Sequence, residues 1–319
     1  MSLVRKRFIL RGGLAALGAS LLMPVFAGPL KDAIVDRMLT RKLEQAQEGG
    51  AAAMEGQMLP VPLPPGARLE KDFSYGSDPA QKMDIYIPQH TGLAPVIFMV
   101  HGGAWMVGDK GMSKVIINKA ARWLPKGYVI VSVNYPMLPN SPVDQQARDV
   151  AKALSVAQAN AVSWGADASR FVLMGHSAGA HLVTLLSADP QIAYGAGAKP
   201  WLGTVSLDSA SMDVVKTMED KHYSFYDKVF GSDPNFWRQV SPYHRLTKAP
   251  PGPVLMVCGT GRADSCPQAQ AFAQKVISLG GKATVLPQGM NHGDINGKLG
   301  EPGAYTDTVE NFLRSLGVS

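Results

Sequence analysis

Gly175-His176-Ser177-Ala178-Gly179 carries the chemistry most open to reading in this sequence. A serine between glycines two positions away on each side suits a sharp strand-to-helix turn, where larger neighbours would clash. Such a turn lifts the Ser177 hydroxyl clear of the sheet. It also aims the Ala178 N–H, at a helix N-terminus, to where an oxyanion would form. Phe171-Val172-Leu173-Met174 before it reads as a buried strand, and the stretch through Leu182 to Leu186 as a helix. A serine hydroxyl needs a base to become a nucleophile, and the base needs an orienting acid. The late His292, in Gly289-Met290-Asn291-His292-Gly293-Asp294, has the position that the chain order Ser, Asp or Glu, His demands. Asp264, in a loop after the strand Val254–Cys258 and 28 residues before His292, leaves room for one helix and one strand between them. Asp208, after the preceding strand, is the rival acid; its structural alternative is a turn with Ser209-Ala210-Ser211. Asp264 has its own structural alternative, a carboxylate at a helix N-terminus.

His101-Gly102-Gly103-Ala104-Trp105 follows another buried run, and its two glycines let backbone N–H groups approach a substrate. His101 reads as a brace for that loop, His176 as pointing away from the serine, and His181 as one turn into the helix. These motifs in this order, together with Asn134-Tyr135 and Pro139, resemble the α/β-hydrolase superfamily, in its esterase/lipase group. The similarity covers about residues 70–316 and lies near the hormone-sensitive-lipase-like, feruloyl-esterase-like and arylformamidase-like branches. It implies a serine hydrolase acting on carboxylic esters, with Ser177 as nucleophile, His292 as base, Asp264 as acid, and Gly102, Gly103 and Ala178 forming the oxyanion hole. It implies no cofactor and no metal. The sequence departs from the pattern at Ala104, where a third glycine is usual, and in the acid loop, where Arg262 precedes Asp264. An amidase such as an arylformamidase would use the same machinery, and a non-catalytic binding protein on the fold is the alternative of another class.

The elements that must position these residues alternate. Met83–Ile87, Ala94–Val100, Tyr128–Val133, the Phe171 strand, Trp201–Leu207, Pro253–Cys258 and Ala283–Leu286 read as strands. Helical stretches fall at 112–124, 144–164, 269–279 and 305–316. This predicts an α/β fold, a mostly parallel central sheet with helices on both faces, whose ligands bind at the carboxyl ends of the strands. Residues 213–246 break the rhythm with Tyr223, Phe225, Tyr226, Phe230, Phe236, Trp237 and Tyr243, and read as a small helical cap insertion in a hydrolase domain spanning 67–319. Most of these aromatics are expected to pack the insertion on the body.

Residues 28–66 read as an amphipathic helix over 30–46 and a Pro-rich arm. Residues 1–27 read as a cleavable export signal. Arg5, Lys6, Arg7 and Arg11 lead into a Gly-Ala-Leu segment that ends at Ala27, and Arg-Lys before Phe8-Ile9 resembles a variant twin-arginine signal. The formal charge of +6 falls to +2 without that segment. A body of low charge lacks the basic patch that nucleic-acid binding needs. The apolar run is short of the ~20 residues of a spanning helix, so the mature chain is expected to be periplasmic or secreted, not inserted in a membrane, and to act on a small-molecule ester. Cys258 and Cys266 would then meet an oxidising compartment and could pair.

Overall fold

The computed structural model describes residues 33–38, 40–41, 56–89, 92–209 and 211–318. The expected signal at 1–27 lies outside them. Of the helix expected over 30–46, residues 33–38 and 40–41 are helical. Eight strands form one sheet: β1 (Arg68–Ser74), β2 (Lys82–Ile87), β3 (Ala94–Val100), β4 (Val129–Val133), β5 (Ala166–His176), β6 (Gly203–Leu207), β7 (Val254–Gly259) and β8 (Ala283–Gln288). Their spatial order is β1-β2-β4-β3-β5-β6-β7-β8. β2 pairs antiparallel with β1 and β4, and every other pairing is parallel.

The long helices are α1 (Ser113–Trp123), α2 (Val143–Asn160), α3 (Ala178–Ala188), α9 (Ser265–Ser278) and α11 (Ala304–Ser315). Alternation along the strands explains how they divide. Phe171 and Leu173 of β5 face the core that holds α2 and α3, while Val172 and Met174 face the core that holds α1 and α11. Val254, Met256 and Cys258 of β7 pack with Ala269, Phe272 and Val276 of α9, on the α3 side. Strands buried on both faces read as continuous apolar runs, which is why β3 and β4 stand out in the sequence. Burying each Val, Leu or Ile of these strands contributes roughly 1.5–3 kcal/mol.

Between β6 and β7 lie four short helices: α5 (Val214–Glu219), α6 (Phe225–Phe230), α7 (Pro234–Val240) and α8 (Pro242–Arg245). Tyr226 and Phe230 are buried against Trp105, with Trp105–Phe230 centroids 5.1 Å apart. Phe225 is buried in the same core, and Tyr223, Phe236 and Trp237 pack against it partly buried, so most of the insertion's aromatics hold it on the body. Two further short helices are α4 (Gln191–Gly195) and α10 (His292–Gly297).

The chain enters at one edge with β1 and β2; from β3 it passes to β4 on one side and then to β5 through β8 on the other, so β3 and β5 flank the point where the strand order reverses. The turns after β3, β5, β6 and β7 open at that end, where a crevice forms in sheets of this kind.

Candidate active site

Ser177 sits between β5 and α3 with φ +54°, a left-handed conformation uncommon outside glycine. Its neighbours explain how the turn is tolerated. A Cβ on Gly175 would lie 2.3 Å from the Gly179 carbonyl oxygen, and one on Gly179 would lie 2.2 Å from that of Val100. Both glycines therefore serve close backbone approach, and the second lets the start of α3 press against the end of β3. The Ser177 N–H donates to the Leu207 carbonyl of β6 at 3.0 Å, which fixes the turn to the neighbouring strand.

The imidazole of His292, at the start of α10, places Nε2 2.9 Å from Ser177 Oγ. Its Nδ1 lies 2.5 Å from Asp208 Oδ2. That carboxylate requires the proton on Nδ1, which leaves Nε2 as the acceptor facing the serine hydroxyl. His176 supports the ring from beside the nucleophile. Its Nε2 lies 3.0 Å from the His292 carbonyl oxygen, with ring centroids 4.5 Å apart.

Asp208, and not Asp264, is therefore the carboxylate on His292. Asp208 follows β6, is fully buried and has φ +53°. Gly259 N–H donates to its Oδ1 at 2.7 Å, and Ser265 Oγ does so at 2.5 Å. Asp264 instead occupies the N-cap position of α9. Its side chain is 46% exposed, and its nearest charge is Arg262 Nε at 3.7 Å. The physical reason lies in the loop after β7. Between Cys258 and Cys266, which a disulfide joins, that loop presents Arg262 to the histidine and leaves Asp264 at the start of α9. Arg262 Nη1 lies 3.2 Å from Asp208 Oδ2 and 2.9 Å from His292 Nδ1. The pairing of the two cysteines agrees with the sequence expectation.

Charges in this cluster oppose one another. Burial pushes the Asp208 carboxyl up, but the His292 hydrogen bond and the Arg262 charge outweigh it and hold it well below the usual carboxylate range. Burial, with His176 and Arg262 alongside, pushes the His292 imidazole down to about 4 against the opposing pull of Asp208. The pair thus rests as carboxylate and neutral imidazole, the state of a base ready to accept a proton.

The loop after β3 faces the start of α3. Gly103 has φ +117°, and a Cβ there would lie 1.8 Å from the Val107 carbonyl oxygen. Ala104 and Trp105 follow with φ +53° and +60°, so the turn coils back on itself. Met106 and Val107 N–H groups both donate to the Gly103 carbonyl, Gly102 and Gly103 are buried, and a Cβ on Gly179 would lie 2.4 Å from the carbonyl oxygen of His101 just before them. His101 braces this loop: its ring stacks on Tyr135 at 4.7 Å, and its Nδ1 lies 2.6 Å from the Gly102 carbonyl. Asn134 fastens the far side, accepting from Lys110 N–H and donating to Asp109. His181, buried in α3, accepts from Trp105 Nε1 at 3.3 Å, so its own Nε2 proton goes to the Val240 carbonyl at 2.7 Å. It links the loop to the cap insertion. His176, His181 and Arg262 are participants that sequence reasoning located but gave no role at the site. Their polar atoms adjoining these motifs were the only available signal.

Among the described residues, no three His, Cys, Asp or Glu side chains cluster as a metal site, and no helix is long and apolar enough to cross a membrane.

Comparison with known proteins agrees with this architecture. Residues 83–195 match the family model BD-FAE. A probable isoprenylcysteine alpha-carbonyl methylesterase of Oryza sativa subsp. japonica is 34% identical over 109 residues, 34% of this chain and 25% of that protein. The chain thus spans about a quarter of the length of the plant methylesterases it matches. Esterase LipC of Mycobacterium tuberculosis is 27% identical over 84% of this chain and 76% of its own. The crystal structure of esterase B from Lactobacillus rhamnosis superposes with a TM-score of 0.68 at 18% identity, covering 89% of this chain and 96% of that one. The fold is the α/β-hydrolase fold, and the resemblance to its esterase/lipase group is borne out.

Proposed function

We propose that the protein is a serine hydrolase of carboxylic esters, using Ser177, His292 and Asp208. The observation that carries this is the continuous path from Ser177 Oγ to His292 Nε2 at 2.9 Å and from Nδ1 to Asp208 at 2.5 Å, at the carboxyl ends of β5, β8 and β6. The esterase names borne by its relatives support the choice of substrate class.

In this reading Ser177 Oγ attacks the acyl carbon while His292 Nε2 takes its proton. The carbonyl oxygen becomes an oxyanion held by the N–H groups of Gly103 and Ala178, with Gly102 shaping the loop; each such donor is worth ~3 kcal/mol in the transition state. His292 then returns the proton to the departing alcohol. Water repeats the sequence on the acyl-enzyme and restores Ser177. Asp208 holds the imidazole in the tautomer that this requires and stabilises the transient imidazolium. The cap consists of short helices packed on Trp105 and offers no long apolar lid, so short acyl chains are the proposed substrates. Export is part of the proposal: the 1–27 segment reads as a signal, and a disulfide suits an oxidising compartment.

Ser177→Ala should lose nearly all turnover of a short aryl ester while keeping its circular dichroism spectrum. Activity near wild type would end the assignment. A panel of acetyl, aryl, feruloyl and formamide substrates tests ester against amide. A rate that rises steadily to C12 acyl chains contradicts the short-chain reading.

A further inference from the structure

The loop after β7 delivers a cation where the sequence pattern leads one to expect the acid. We propose that Arg262 is a positioning residue of the triad: its guanidinium shares the Asp208 carboxylate with the His292 imidazole and holds that imidazole uncharged in acidic medium. This rests on the serine-hydrolase reading above.

The geometry is specific. Arg262 Nη1 donates to Asp208 Oδ2 at 3.2 Å and lies 3.4 Å from the Asp208 carbonyl, while Nδ1 of His292 is 2.9 Å away. Nδ1 has its own proton committed to Asp208 at 2.5 Å, so the guanidinium does not take the Nδ1 lone pair. What it brings there is positive charge. A second positive charge on the imidazole would sit within a few ångströms of the first, and part of the Asp208 charge that would favour it is already engaged.

The other groups around the ring do not cancel this. His176 faces it from the end of β5 and adds no negative charge. Lys114 of α1 has its ammonium 3.0 Å from where a Cβ on Gly293 would stand, and it adds no negative charge. Asp294 of α10 is paired with Lys298 at 2.9 Å. Asp264 lies on the far side of Arg262, at Nε, where it steadies the guanidinium. Tyr226 and Tyr305 lie in the field of Arg262 and Asp208 respectively, and burial pushes both phenols up, so they stay neutral. The disulfide spans Cys258 to Cys266 and encloses Arg262, so the loop carrying the cation is tied at both ends.

The test is the pH profile of kcat/KM for a soluble aryl ester, measured on the mature wild type, Arg262→Met and Arg262→Lys. Arg262→Met should move the acid limb up by about one pH unit, whatever it costs the plateau. Arg262→Lys, which keeps the charge, should hold the limb in place. A lowered plateau with an unmoved limb makes Arg262 mere support and overturns the proposal. Should Arg262→Met not fold, Arg262→Gln, which removes the charge but stays polar, is read the same way: a limb raised by about one unit supports the proposal, and an unmoved limb overturns it. Ser177 labelling by a fluorophosphonate, run in parallel, separates the two levels. No adduct brings down the triad reading and this proposal together. An adduct with an unmoved limb brings down Arg262 alone.

Discussion

Asp208 and Asp264 pose the same question to two carboxylates with different surroundings. Asp208 is buried, accepts from Gly259, Ser265, Arg262 and His292, and has no water-facing alternative. Replacing it with Asn presents an amide to Nδ1 and permits the wrong tautomer, so turnover should fall on the order of 10⁴-fold. Asp264 is half exposed and touches only the edge of Arg262; Asp264→Asn should turn over within about threefold of wild type. The opposite ranking, in two folded variants, would return the acid to the loop after β7. The sequence showed both acids after buried strands, and the usual chain order favoured the later one. What it did not show was conformation. Asp208 adopts a left-handed φ, and the loop after β7 turns Arg262 toward the histidine; neither is written in residue type or spacing. Ser177 and His292 were legible because glycines on both sides of the serine and a late histidine loop are local features. Asp208 also makes acid stability predictable. Its carboxyl is depressed in the folded state, so its contribution is complete above the unfolded value of about 4 and is lost as pH falls further.

At the level of elements, the loop between β7 and α9 and the helix α3 hold the site together. The disulfide closes a short loop, and cross-links of this length contribute ~2–3 kcal/mol by restricting the unfolded chain. Reduction should therefore lower the melting temperature. It should also depress kcat, because Arg262 and Ser265 lie within the loop. A reduced protein that melts and turns over like the oxidised one contradicts this. His181 of α3 makes a second prediction. Burial pushes its imidazole down to about 4, so the unfolded state takes up a proton that the folded state refuses. The sign follows: stability rises with pH between about 4 and 6.5. The span from the ordinary value to about 4 corresponds to roughly 3 kcal/mol. Urea unfolding should become easier on acidification through that window, and His181→Gln should flatten the slope. An unchanged slope in a folded variant places the effect elsewhere. The buried strands β3 to β7 were readable as apolar runs. β1 was not, because Arg68–Ser74 lies at the sheet edge with mostly exposed side chains and carries no apolar alternation.

Across the whole molecule, parallel strands bring Ser177, Asp208 and His292 together from positions up to 115 residues apart. Alternation of strands and helices predicted that sheet, and the carboxyl-end rule predicted where the chemistry gathers. The cap was legible as a break in rhythm, but how its aromatics seat against Trp105 depends on packing that no periodicity encodes. Export belongs to this scale as well. Protein recovered from the periplasm or medium should begin at Gly28, as N-terminal peptide mass spectrometry would show. A chain retaining residues 1–27 there contradicts the proposed cleavage. The central claim is that Ser177 is a nucleophile activated by His292. The most direct measurement treats the wild type with a fluorophosphonate and maps the adduct by peptide mass spectrometry while following ester turnover. The account predicts one adduct, on Ser177, accumulating in step with the loss of activity. Full activity with no adduct on Ser177, or inactivation through a label on another residue, would contradict it.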